Sequence, residues 1–116
     1  PAVTRSTLIE ATEATDRGES AATMRDWEAA NRYFHRTILL PCRMPRLLAT
    51  IDTLHIASTR FLFATPSAQT MPAHHRESDH RGIIDALGDH DTARACAILE
   101  RHIGRIRQHA ALNHPR

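Results

Sequence analysis

Apolar residues recur along this chain at intervals of three and four, which is the spacing of one face of an α-helix. The pattern predicts five helices, over about 6–16, 27–40, 45–64, 73–87 and 92–112. The sequence shows neither the alternating pattern of a β-strand nor an internal repeat. The short turn between the last two helices predicts a helical hairpin. The expected fold is therefore an all-α antiparallel bundle of about five helices.

Several residues predict where these helices begin and end. Gly18 is expected to close the first helix, and Asp26 to cap the N-terminus of the second. Gly88 is expected to end the fourth helix, and either Asp89 or Asp91 to cap the fifth.

Two helices carry apolar stripes that are expected to be buried. The stripe of the third helix comprises Leu47, Ile51, Leu54, Ser58 and Phe61. The stripe of the fifth helix comprises Ala95, Ile98, Leu99, His102, Ile103 and Ile106. His102 is thus a polar residue within an apolar stripe, and His80 likewise begins the apolar face of the fourth helix.

Composition narrows the class of protein. A chain of 116 residues with 41% hydrophobic residues can form one domain with its own core. All fifteen basic residues are Arg, the net charge is +2, and no block of like charge predicts direct DNA binding. No apolar run approaches the about 20 residues of a membrane span. Cys42 and Cys96 lack metal-binding or redox spacing, which suits buried or half-buried thiols in a cytoplasmic protein.

Helix geometry predicts that His80 and His102 converge. Counted from the turn, His80 lies about 12 Å and His102 about 20 Å along its helix, at about 1.5 Å per residue. Side chains lean toward the N-terminus of their own helix, and in an antiparallel hairpin both leans reduce this difference in height. The two imidazoles are therefore expected to approach each other.

The second helix adds Asn31 and His35, which lie one turn apart on one face. Three imidazoles favour Zn, Ni, Cu or Fe over Mg or Ca, and a weaker fourth donor leaves room for water or a ligand oxygen. His55 lies at the edge of the third helix's stripe and is expected to line the core or a pocket, while Arg60 is expected to face solvent.

Three stretches of the chain resemble the FCD domain, the effector-binding C-terminal domain of FadR-type GntR transcription regulators. The run DWEAANRYFH, ending at His35, is similar to its D-x-x-F-H signature, with Asn31 at the Asp position. His80 to Asp91 resembles H-x-x-I-x-x-A-L-x-x-x-D, and Ala95 to Ile103 resembles A-x-x-x-x-x-x-H-I. The resemblance extends over about 18–109.

The resemblance implies a bundle of six or seven helices in which one Asp and three His hold a divalent metal, often zinc or nickel. It also implies a small carboxylate effector and a homodimer that alters DNA affinity through a winged-helix domain. Carried over, the metal ligands are Asn31, His35, His80 and His102, and His55 is the candidate for binding the effector. Asn carries no charge, so the metal site is expected to be weaker or to depend on an anionic ligand. Residues 1–116 are expected to form a single FCD-like domain, incomplete at its N-terminus and without the winged helix, with uncovered apolar surface on the first three helices.

Two other functions stay open at this point. A dimerisation module could contain the same histidines as buried, hydrogen-bonded residues without a ligand. A helical-bundle metalloenzyme would need a general base near the metal, and no inward-facing Asp or Glu is identified, because the candidate acidic residues are mostly interpreted as facing outward. These residues are Glu28, Glu77, Asp79, Asp85 and Glu100.

Overall fold

A computed structural model of the chain describes residues 3–63 and 74–113. It contains α1 (Arg5–Glu19), α2 (Met24–Leu39), a 3-10 turn (Leu40–Cys42), α3 (Pro45–Phe63), α4 (His74–Gly88) and α5 (Thr92–Asn113). These described residues form no strand, and the all-α prediction is confirmed. The expected end of the third helix at Ala64 and start of the fourth at Ala73 lie outside the described residues.

The connection between α1 and α2 is shorter than predicted. The hydroxyl of Thr23 accepts a hydrogen bond from the backbone N–H of Asp26 at 3.1 Å, so the N-cap of α2 is Thr23, three residues before the expected cap Asp26. The prediction that Gly18 closes α1 was also wrong. Gly18 is buried within α1, which continues to Glu19.

The turn between α4 and α5 forms a Schellman motif. The N–H of Asp91 donates to the carbonyl of Ala86 at 2.8 Å, and the N–H of His90 donates to that of Leu87 at 3.1 Å. The left-handed residue is His90, with φ of 56°, and not Gly88 as predicted, because α4 extends through Gly88. Asp91 then caps α5 through its carboxylate, which accepts a backbone N–H three residues later.

The core lies where α1, α2 and the α4–α5 hairpin meet. α1 packs against α2 and α4, whereas α3 packs more sparsely and against α2. A methyl group at Gly82 would lie 3.2 Å from Cδ1 of Ile98, so glycine allows α4 and α5 to approach closely. The buried core residues are Ala11, Ala14, Phe34, Ile38, Ile83, Ala86 and Ala95.

Several residues that were predicted to be buried are exposed. On α3, Leu47 and Leu54 are 46% and 61% exposed, and on α5 Ile103 is 57% exposed. An apolar stripe shows which face of a helix is apolar, but it does not show whether another element covers that face. Apolar surface on α3 agrees with the expectation of uncovered apolar surface. The side chains of Phe61 and Ile106 lie outside the described residues.

The prediction for the two cysteines was also wrong, because the side chains of Cys42 and Cys96 are both exposed. Arg60 faces solvent as predicted. Among the helices of the described residues, none combines the length and apolar character that crossing a membrane requires.

Candidate metal centre

Three imidazoles from three helices meet in the interior of the bundle. His35 of α2, His80 of α4 and His102 of α5 each offer a nitrogen, and these nitrogens all lie within 4.8 Å of one another. The ring centroids of His80 and His102 are 5.0 Å apart, so the convergence predicted from helix geometry is observed. His80 and His102 are 1% and 2% exposed, while His35 retains some accessible surface.

The position of His80 is fixed from both sides of α4. On the outer side, Arg81 forms ion pairs with Asp16 and Glu19 of α1, each with a closest distance of 2.8 Å. On the inner side, the ring of Phe34 stacks on His80, with centroids 4.0 Å apart and an angle of 15° between the rings. Phe34 also contacts His35 edge to face at 5.2 Å. One buried aromatic ring therefore supports two of the three imidazoles.

The carboxylate of Asp79 lies 3.1 Å from Nδ1 of His102. This hydrogen bond orients the ring and makes Nε2 the nitrogen suited to an ion, as in carboxylate–histidine–metal arrangements. The prediction that Asp79 faces outward was wrong. Asp79 is one residue from His80, and so about 100° around α4, a position that its own helical pattern leaves ambiguous. Its contact comes from α5, which the pattern of α4 cannot reveal.

The outward orientation predicted for the other acidic residues is correct at some positions and wrong at others. Glu28 is half-buried and accepts a hydrogen bond from the hydroxyl of Thr59, so its outward prediction was also wrong. Asp85 and Glu100 are exposed as predicted, and the side chain of Glu77 lies outside the described residues.

Asn31 and His55 form a contact beside the imidazole cluster. Asn31 is buried at 7% exposure, and its Nδ2 lies 3.1 Å from Nε2 of His55. The ring of His55 is 5.3 Å from that of His35. Oδ1 of Asn31 is buried and has no hydrogen-bond partner among the described residues. One oxygen acceptor is thus available on the helix face that carries His35.

Burial favours the neutral forms of His35 and His55. Desolvation lowers the pKa of His35 well below its ordinary value of 6.5, and repulsion by His80 lowers it further. Desolvation also lowers the pKa of His55. A neutral imidazole is the form that binds a metal ion, so His35 needs to lose no proton on binding near neutral pH.

We expect the free energy of unfolding of the metal-free protein to fall as the pH decreases below 6.5. Below this value the unfolded chain protonates His35 while the folded chain does not, so protons favour the unfolded state. For one proton the limiting slope is about 1.4 kcal/mol per pH unit. Urea denaturation between about pH 8 and about pH 5 measures it.

The variant His35→Gln is the control for this slope, because glutamine does not titrate. It should reduce the dependence of stability on pH over the same range. Equal slopes in the two proteins would show that His35 does not remain neutral in the folded state.

The donors present fit a transition-metal ion. Three imidazole nitrogens are donors that such an ion prefers, and Asp79 supplies a hydrogen bond that orients one of these ligands. The arrangement is poorly suited to Mg or Ca, which prefer several oxygen ligands. A bound ion would supply positive charge and an open coordination position for an acidic ligand.

A cavity of about 330 Å³ adjoins this centre between α2 and α3. Arg32, His35, Arg36, Asp52 and His55 are the polar residues that line it. The sequence interpretation did not single out Arg32, whose position next to Asn31 was the available signal. The structure thus places the predicted effector residue His55 in the wall of a cavity that His35 also lines.

The fold and this centre define an all-α domain with a buried histidine cluster beside a cavity large enough for a small ligand. The model of the FCD domain family matches residues 1–105, and the chain belongs to this family. The family consists of regulatory domains that bind effectors in GntR-type transcription regulators. No curated protein and no solved structure was found to match the chain.

Proposed function

We propose that this domain binds a divalent transition metal, zinc or nickel, together with a small organic acid, and so regulates a GntR-type transcription factor. The observation that carries the proposal is the set of three imidazole nitrogens within 4.8 Å of one another. His35, His80 and His102 would hold the ion, and Asn31 would add its amide oxygen. Because these histidines lie on three different helices, a bound ion would link those helices.

The neighbouring cavity supports an acidic effector. Arg32 lies between two carboxylates: its NH2 group is 3.3 Å from Asp52, and its buried Nε, which makes no hydrogen bond among the described residues, is 4.0 Å from Glu28. A guanidinium in a cavity wall that already pairs with carboxylates suits the carboxylate of a ligand. With Asn31 as its oxygen donor, the protein adds no negative charge to the ion, so an acid bound there would supply it.

Ligand binding can change the regulator through the arrangement of the helices. An ion and an acid that tie α2 to the α4–α5 hairpin favour the arrangement in which these elements are closest. We propose that a homodimer transmits this change, and that a winged-helix domain of the regulator contacts the DNA. Exposed Leu47 and Leu54 of α3 offer apolar surface for self-association.

Elemental analysis of the purified protein, followed by calorimetry with a panel of small carboxylic acids, tests this proposal. We expect about one zinc or nickel ion per chain, and acid binding that is stronger in the metal-loaded protein than after chelation. The acid panel should include citrate as a tricarboxylate and a second acid with one carboxylate, together with inorganic phosphate as a non-carboxylate anion.

The variant Arg32→Gln separates the two ligands. It should weaken binding of the acid while leaving the metal content unchanged. A protein that takes up neither zinc nor nickel and binds none of the acids would instead favour the dimerisation module with structural histidines.

A further inference from the structure

An asparagine side chain can direct either its amide oxygen or its amide nitrogen toward a metal ion. Its Oδ1 is an acceptor that can coordinate a cation, whereas its Nδ2 carries two donors that repel one. The two orientations of the amide differ by a half-turn of the same side chain. Something must therefore select one orientation if Asn31 is to serve at this centre.

The contact with His55 makes that selection. Nδ2 of Asn31 can only donate, so Nε2 of His55, 3.1 Å away, must accept. A neutral His55 that accepts at Nε2 carries its proton on Nδ1. In this arrangement Nδ2 faces His55, and Oδ1 is the amide atom that stays buried and unused among the described residues.

We propose that His55 is a positioning residue that holds the amide of Asn31 with its oxygen available to the metal. This inference rests on the metal site proposed above. His55 lies on α3, which contributes none of the three clustered imidazoles. Metal binding therefore depends on the position of α3 against α2. An aspartate would need no such partner, because both of its carboxylate oxygens can bind a cation. An asparagine has one amide oxygen, and the hydrogen bond to His55 keeps that oxygen available.

A double-mutant cycle tests the inference with Zn²⁺ alone as the probe, measured by competition with a chelator. In the parent chain, His55→Phe should weaken Zn²⁺ binding by about 10-fold or more, the usual effect of losing an outer hydrogen bond. In an Asn31→Asp background both carboxylate oxygens are acceptors, so His55→Phe should weaken Zn²⁺ binding by no more than about 2-fold. His55→Gln offers an oxygen acceptor and should restore most of the affinity.

A spectroscopic measurement checks the same point without metal. The ¹⁵N chemical shifts of His55 should show a proton on Nδ1 and an accepting Nε2 in the metal-free protein. A proton on Nε2 would overturn the proposed role, because the amide would then present its oxygen to His55.

The outcomes separate this inference from the proposed function. Zn²⁺ binding with equal losses in both backgrounds would overturn the role of His55 while the metal site stands. Failure of both the parent and Asn31→Asp to bind Zn²⁺ would overturn the metal site, and this inference with it.

Discussion

Zinc should raise the melting temperature of this domain, and His102→Gln should remove most of that increase. The ion would bind nitrogens brought together from α2, α4 and α5, so the unfolded chain offers no equivalent site. At a free zinc concentration 100 times the Kd, binding to the folded state adds about 2.7 kcal/mol. For a domain of this size that is on the order of 10 °C in Tm. Differential scanning calorimetry with and without zinc measures the increase.

Glutamine at position 102 is close in size to histidine, and its amide can donate to Asp79, so the fold should persist. As a neutral amide it is a much poorer zinc ligand than imidazole. His90→Asn is the matched control, since it removes an exposed histidine whose φ of 56° asparagine tolerates. The control should retain the full increase. An equal increase in His102→Gln would show that zinc binds elsewhere on the chain.

The part of this centre that the sequence could predict depends on regular helices. His80 and His102 interrupt apolar faces, and two antiparallel helices joined by a short turn bring such positions to similar heights. The observed 5.0 Å between the rings agrees with that geometry. His35 could be added because it lies on the same face of α2 as Asn31 and within the FCD signature.

Contacts between residues on different elements could not be predicted in the same way. Asp79 has no distinguishing position in the periodicity of α4, yet the approach of α5 turns it toward His102. The hydrogen bond between Asn31 and His55 depends on how α3 packs against α2, which the spacing of residues within either helix does not specify. The partners that orient a ligand therefore require the three-dimensional structure.

The sequence predicted the positions of the helices better than it predicted which residues are buried, because burial also depends on contacts between elements. The stripe containing Leu47 and Leu54 identifies the apolar face of α3 correctly, but this face is exposed in the single chain. On α4 and α5, which pack against each other, the same periodicity leads to burial at Ile83 and Ala95, but Ile103 of α5 is 57% exposed. Amphipathic spacing predicts a helix and its face, and burial depends on what covers that face.

Phe34→Ala should lower the free energy of unfolding by about 3–5 kcal/mol, a large part of the about 5–15 kcal/mol that stabilises a typical domain. Phe34 is fully buried in the core and stacks on His80 at 4.0 Å. Removing its ring leaves a cavity beside two of the imidazoles, in addition to the lost burial of apolar surface. Urea denaturation monitored by circular dichroism gives the difference.

Tyr33→Ala is the matched control, because the same helix carries this second aromatic residue one position away. Tyr33 is 43% exposed, and the guanidinium of Arg17 lies 4.8 Å from its ring centroid. An exposed contact of this kind is worth about 0.5–1 kcal/mol, so Tyr33→Ala should cost far less than Phe34→Ala. Similar losses at the two positions would mean that the ring of Phe34 is not the support of the imidazole cluster. A much larger loss at Phe34 would show that the aromatic residue preceding His35 in the FCD signature stabilises the core beside the imidazole cluster.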